Sequence, residues 1–275
     1  MQGRVLIIAG SDSGGGAGIQ ADIKAVTALG GHAATALAAL TAQNTLGVHG
    51  VMPVPVPFLR QQMAVVLDDI GADALKTGML ATAEIIDAVA DEISARAPGC
   101  ALVVDPVMVA KGGHRLLEES ATAALIRRLL PLATVLTPNL PEAEVLLGRA
   151  IDGENGLEAA GRALLDLGPR AVLMKGGHLP GDTVTDVLVT ADGVTRWPAP
   201  RLHTRATHGT GCTLASAVAC GLAQGLDLVA AVERARAYVR LAMRTAPGLG
   251  HGHGPLNHAC TVAPFPALPL KEDPA

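Results

Sequence analysis

Aromatic residues are almost missing: the 275 residues include one Trp, one Tyr and two Phe. Proteins that bind single-stranded nucleic acid stack bases on aromatic platforms, so the composition argues against that class. The core must instead be aliphatic, with closely packed small side chains. Excess charge of one sign is also lacking. Lys and Arg total 21 against 25 Asp and Glu, a formal net charge of −4, without basic runs. Phosphate neutralisation therefore gives no basis for a nucleic-acid partner. The four cysteines, Cys100, Cys212, Cys220 and Cys260, form no Cys-x-x-Cys pair and lack the density that staples small secreted domains. A reducing compartment, the cytoplasm, is expected. The amino terminus leads into only a short apolar run, Val5 to Ala9, which is neither a secretory h-region nor a spanning helix of ~20 apolar residues. No membrane partner is expected.

What is present is 49% hydrophobic content against 17% charged, enough for a substantial core. At this length one domain over residues 1–260 is expected, followed by a Pro-rich tail over 261–275. Short apolar runs recur at 5–9, 74–76, 101–105, 134–137 and 171–175, each closed by Gly, Pro or Asn and followed by a longer amphipathic stretch. Helices are expected at 18–29, 58–69, 83–96, 118–130, 157–167, 210–224 and 228–244, with an antiparallel hairpin of 184–190 and 194–197. Residues 53–57, with three prolines, read as a rigid connector. Apolar strands alternating with helices predict an α/β fold whose parallel sheet is covered on both faces, with ligands beyond the carboxyl ends of the strands.

Two glycine-rich loops stand at such strand and helix ends. The first, from Gly10 to Gly18, separates the first strand from the first helix. Gly16-Ala17-Gly18-Ile19-Gln20-Ala21 satisfies the dinucleotide pattern GxGxxA, but no acidic residue occurs between Lys24 and Asp68 to hold a ribose. No GxxxxGK[ST] phosphate loop occurs anywhere. A plain flexible turn leaves Asp12, Asp22 and Lys24 without a task. Asp22, in the first turns of the helix, can meet a small ligand.

The second loop, Thr207-His208-Gly209-Thr210-Gly211-Cys212-Thr213, opens a helix of small residues. Free N–H groups and the positive helix end there suit an oxyanion or a transferring phosphoryl group. Cys212 lies in that first turn, where the helix field lowers a thiol pKa, so it can serve as proton acceptor or polar anchor. A buried small hydrophobe is the alternative, and it suits Cys220 better.

Six segments, Gly10–Asp22, Ala42-Gln43-Asn44-Thr45, Lys76-Thr77-Gly78-Met79-Leu80, Asp105-Pro106-Val107-Met108, Thr137–Glu144 with its NxxE motif, and His208–Thr213, occur in one order. In these the chain resembles the hydroxymethylpyrimidine/phosphomethylpyrimidine kinases of thiamine biosynthesis, over roughly residues 4–258. The resemblance implies a ribokinase-like αβα sandwich on a mostly parallel sheet. It implies ATP and Mg²⁺, a pyrimidine substrate and a homodimer. By the same resemblance Gln43 reads the pyrimidine edge, with Gly10, Asp22, Met79 and Val107 around the substrate. Core packing is the competing reading for Met79 and Val107. Lys175 and Asn139 meet the nucleotide, and Asp105 and Glu142 supply oxygen ligands to the metal. Asn139 equally suits an N-cap and Lys175 an ordinary surface lysine. Most of the superfamily carries Asp where this chain has Cys212, the catalytic position, with Gly209, Thr210 and Gly211 around the phosphoryl group. A pyridoxal kinase of the same superfamily, a catalytically silent ligand-binding protein and an NAD-dependent oxidoreductase are the rival readings.

Overall fold

The computed structural model describes residues 2–108, 119–154 and 156–263. The first apolar run becomes β1 (Arg4–Gly10), with Leu6 and Ile8 packed into one core and Val5, Ile7 and Ala9 into another. A strand buried on both faces has no polar side, hence its unbroken hydrophobicity. There follow α1 (Gly18–Ala28), β2 (His32–Asn44), β3 (Gly47–Pro53), α2 (Val56–Asp69), β4 (Ala74–Thr77), α3 (Ala83–Arg96) and β5 (Ala101–Val104). After the next described residue come α4 (Glu119–Ala124), β6 (Val135–Leu136), α5 (Leu140–Leu147), α6 (Gly156–Leu165) and β7 (Ala171–Met174). The chain continues through β8 (Thr183–Thr190), β9 (Val194–Pro200), α7 (Thr210–Ala223) and α8 (Leu228–Arg244).

These strands form one sheet in the order β3-β2-β1-β4-β5-β6-β7-β8-β9. Neighbours from β2 through to β7 run parallel, and β3, β8 and β9 add antiparallel strands at the two margins. Helices α1, α7 and α8 cover one face, and α2 to α6 the other. The expected αβα layering is therefore observed. The chain runs from β1 outward to β2 on one side and later to β4 on the other. This reversal opens a crevice at the carboxyl ends of β1 and β4, where α/β sheets take their ligands.

Three segments differ from expectation. His32–Asn44 is rich in alanine, a poor strand former, but pairing along β1 from Arg4↔His32 to Gly10↔Ala39 imposes the extended form. The segment read as a Pro-rich connector is divided between two elements. Pro53 ends edge strand β3, where a missing N–H is harmless, and α2 begins at Val56 with Pro57 in its first turn. The helix expected over 118–130 is regular only to Ala124, widening to a π turn over Leu125–Leu129 and tightening to a 3₁₀ turn over Leu130–Leu132. Pro131 has no N–H with which to continue it. Position 118, like 264–275 of the expected tail, lies outside the described residues. All four cysteines are free thiols, and no helix among the described residues is long and apolar enough to cross a membrane.

Candidate active site

A cavity of about 680 Å³ opens beyond the carboxyl ends of the strands. Gly10 and Gln43 line it from β1 and β2, Met79 and Val107 from the turns after β4 and β5, and Lys175 from the turn after β7. Asp105, Asn139, Glu142 and the Gly209–Cys212 loop complete it, so every expected site residue except Asp22 lines this space.

The glycine loops are locked against each other. Asp12 turns back into its own loop and accepts backbone N–H bonds from Gly14 (2.8 Å), Gly16 (2.9 Å) and Ala17 (2.8 Å). His208, from the second loop, adds a contact from Nε2 at 2.8 Å. Burial alone would raise the Asp12 carboxyl, but His208 and the backbone donors outweigh it and hold it below the ordinary range. Gly209 caps α7 with φ of 80°, and a Cβ on it would fall 1.8 Å from the Gly16 carbonyl oxygen. Only glycine fits there. The N–H groups of Thr210, Gly211 and Cys212 have no acceptor within the helix, so the loop offers donors to the cavity. Behind it, Thr213 Oγ1 contacts His258 Nε2 at 2.9 Å and Thr207 Oγ1 contacts His253 Nδ1 at 3.2 Å. These histidines brace the loop.

Opposite that loop lies a carboxylate and lysine group. Asp105, at the end of β5 and 2% exposed, accepts Lys175 Nζ at 2.9 Å and Thr137 Oγ1 at 3.1 Å. Glu142 Oε2 lies 3.7 Å from the same Nζ. Asn139 does cap α5, in a reciprocal box: its side chain accepts from the Glu142 N–H at 2.9 Å, and Glu142 Oε2 accepts from the Asn139 N–H at 2.8 Å. Burial, reinforced by Asp105 and opposed by Lys175, pushes the Glu142 carboxyl up to about 7. Burial by itself lowers Lys175, yet Asp105 and Glu142 together keep it above the usual range. It is a held cation, not an ordinary surface lysine. A Cβ on Gly211 would lie 3.2 Å from Lys175 Nζ and 3.5 Å from Asp105 Oδ2, so the two halves of the site face each other closely.

Two expectations are corrected. Asp22 does not reach the cavity: fully buried, it takes Lys76 Nζ on both oxygens (2.9 and 2.8 Å) and Ser216 Oγ at 2.7 Å. Lys76 lines the cavity in its place. Burial penalises its charge, but Asp22, Cys212 and Asp105 hold the ammonium above the ordinary range. The Cys212 thiol, expected to fall in the helix field, is pushed up to about 12. Although the residue is partly exposed to the cavity, burial dominates; Lys76 opposes it, and the charges of Asp22 and Asp105 add to it. Cys212 is a thiol at neutral pH.

Sequence reasoning gave no role to Lys76 or His208. A lysine inside the apolar strand Ala74–Thr77 is a usable signal, because a charge buried in a strand needs a partner. His208 carried none beyond its place before Gly209. Met79 both packs and lines the cavity: its Cε would lie 2.3 Å from a Cβ on Gly10, so it fills the space that glycine leaves.

The profile of the phosphomethylpyrimidine kinase family matches residues 12–257. A hydroxymethylpyrimidine/phosphomethylpyrimidine kinase of Streptomyces coelicolor is 52% identical over 256 residues, covering 92% of this chain and 93% of that one. A thiamine biosynthesis bifunctional protein of Geobacter sulfurreducens is 51% identical over 257 residues, 94% of this chain but 52% of that protein. The chain thus spans about half the length of the bifunctional relative and nearly all of the other. Among solved structures, an ADP complex of Bacillus subtilis pyridoxal kinase superposes with a TM-score of 0.87 at 36% identity, covering 94% of this chain and 98% of that one. The fold is ribokinase-like, and from the breadth of these matches the chain belongs to the phosphomethylpyrimidine kinase family.

Proposed function

We propose that the chain transfers the terminal phosphoryl group of ATP to the hydroxymethyl oxygen of 4-amino-5-hydroxymethyl-2-methylpyrimidine. It then phosphorylates the monophosphate to the diphosphate used in thiamine biosynthesis. One observation carries this reading: a side-chain amide, Gln43, and an amide-rich helix start, Gly209–Cys212, line one cavity with the Lys175, Asp105 and Glu142 group. Gln43 can donate to a ring nitrogen and accept from the neighbouring amino group. Gly10, Met79 and Val107 supply close packing without aromatics.

Phosphoryl transfer asks for in-line positioning and charge stabilisation more than for covalent chemistry. The N–H groups of Gly209, Thr210 and Gly211 meet the transferring group, and Lys175, with Asn139 beside it, meets the nucleotide phosphates. Cys212, a neutral thiol, holds the acceptor hydroxyl in line. That a related Bacillus pyridoxal kinase forms an ADP complex supports a nucleotide as one of the ligands. Mg²⁺ fits the residues present. Among the described residues no three His, Cys, Asp or Glu side chains gather as a closed cage, but Mg²⁺ is commonly held by one or two carboxylates together with phosphate oxygens and water. Asp105 and Glu142, two carboxylates on the cavity wall, would hold it. When bound, the ion would neutralise charge on the phosphates. One kinase domain over 1–260, a homodimer and a cytoplasmic location belong to the same reading, carried by the resemblance.

The related pyridoxal kinase makes pyridoxal the competing substrate. Initial rates on the hydroxymethylpyrimidine and on pyridoxal separate them, in the unaltered protein and in Gln43→Leu. The pyrimidine is expected to be preferred, and the variant should lose on the order of 10²-fold in that preference. An unchanged preference in Gln43→Leu removes Gln43 as the reader, and a preference for pyridoxal overturns the assignment.

A further inference from the structure

Two committed protons fix the polarity of the Gln43 side chain. Thr41 Oγ1 donates to the Ser11 carbonyl at 2.8 Å. The contact between His208 Nε2 and Asp12 Oδ2, 2.8 Å long, uses the imidazole N–H, because Asp12 can only accept. Three backbone donors already point at that carboxylate, and it is held in its charged form. The Gln43 amide lies between these groups, with Nε2 at 3.4 Å from His208 Nε2 and Oε1 at 3.2 Å from Thr41 Oγ1. That arrangement sets donor against donor at His208 and acceptor against acceptor at Thr41. A half-turn of the amide makes both contacts complementary, with the NH₂ donating to Thr41 Oγ1 and the oxygen sharing the His208 N–H. The Gln43 backbone does not move in this turn, being tied to Ser13 Oγ by two bonds of 2.8 Å.

The polarity matters because His208 directly precedes Gly209 in the phosphoryl-binding loop. The amide oxygen is then the end nearer the transferring group, and the NH₂ the farther end. In the hydroxymethylpyrimidine, the amino group flanks the carbon bearing the hydroxymethyl arm, and a ring nitrogen lies beyond it. Acceptor meets amino donor, and donor meets ring nitrogen. In pyridoxal the group beside the hydroxymethyl carbon is an aldehyde, whose oxygen would face the amide oxygen. We propose that His208 is a positioning residue that sets which end of the Gln43 amide faces the transferring group, and thereby the preference for an aminopyrimidine over an aldehyde-bearing pyridine. This rests on Gln43 being the group that meets the ring.

The readout is the ratio of kcat/KM for the hydroxymethylpyrimidine to that for pyridoxal, measured on the full chain with Mg-ATP. His208→Leu removes the N–H and should lower the ratio about tenfold or more, with KM for ATP changed less than about twofold. His208→Gln places a side-chain nitrogen at the same reach and should recover most of the ratio. Thr41→Val removes the partner at the other end and should also lower it. A merely structural role for His208 would depress both substrates together and leave the ratio where it was. An unchanged ratio in His208→Leu overturns the proposal, as does a Gln variant no better than Leu. Should His208→Leu fail to fold, an unchanged ratio in Thr41→Val overturns it instead. If the unaltered protein does not phosphorylate the pyrimidine, the functional reading falls and this inference with it; if it does and the ratio holds, only the inference falls.

Discussion

Cys212 separates two accounts of how the acceptor hydroxyl is activated, and its environment sets the size of the effect. The thiol stands at about 12 instead of 9.0, so ionising it in the fold costs about 4 kcal/mol more than in a free peptide. At pH 8 the thiolate fraction is therefore about a thousandfold below that of an unperturbed cysteine. The helix amino terminus, which alone would favour the thiolate, is overcome by burial and by the negative charges of Asp22 and Asp105, even with Lys76 opposing. Alkylation by iodoacetamide, followed at the Cys212 peptide by mass spectrometry, reads this directly. The folded protein should react with a rate that still climbs about tenfold per pH unit above pH 9, whereas the urea-unfolded chain should level off as its thiol ionises. Cys212→Ser keeps a hydroxyl-holding group, so its kcat should fall less than about tenfold, far short of the ~10²–10⁴ typical of a lost general base. An alkylation midpoint at or below about pH 8.5, or a serine variant losing several orders of magnitude, would refute the reasoning.

Three further perturbations follow from buried charges. Glu142, raised from 4.5 to about 7, favours the folded state below the lower value and loses that contribution as pH climbs through the higher one, a change of about 3 kcal/mol. Glu142→Gln should therefore raise Tm at pH 8 while lowering kcat with Mg-ATP; a lower Tm at that pH would contradict the linkage. Lys76→Met strands Asp22, whose remaining side-chain partner is Ser216, and should cost about 3–5 kcal/mol in urea unfolding. The double variant with Asp22→Leu should recover much of it, and a double variant no more stable than the single would count against this pair. His258, depressed from 6.5 to about 4 by burial, contributes stability above the higher value that is lost as pH falls through the lower one, about 3 kcal/mol in all. His258→Gln should flatten acid unfolding over that window, and an unaltered acid midpoint would argue otherwise.

The sequence made the parallel sheet legible because β1, β4, β5 and β7 are buried on both faces and read as apolar runs closed by turn residues. It did not reveal β2, since Ala-rich Ala33–Ala39 owes its extended form to pairing with β1 and not to local preference. The cavity lining was legible where chemistry sits on backbone punctuation: Gly10, Gly209 and Asp105 each occur at a strand or helix end. Asp22 misled because its position on α1 was right while its direction was not; it faces Lys76 and Ser216 inside the protein. The thiol of Cys212 misled for a related reason. A helix end is visible in sequence, but the burial and the two carboxylates that overrule it come from strands and helices far apart in the chain.

The central claim is phosphoryl transfer to the pyrimidine hydroxymethyl group, then to the phosphate so formed. Mass-resolved products of the full chain with Mg-ATP and 4-amino-5-hydroxymethyl-2-methylpyrimidine test it most directly. The account predicts a monophosphate that appears first and is then consumed as the diphosphate accumulates, with ADP formed in step. ATP bound but no phosphorylated pyrimidine, or pyridoxal phosphorylated in preference to it, would contradict the account.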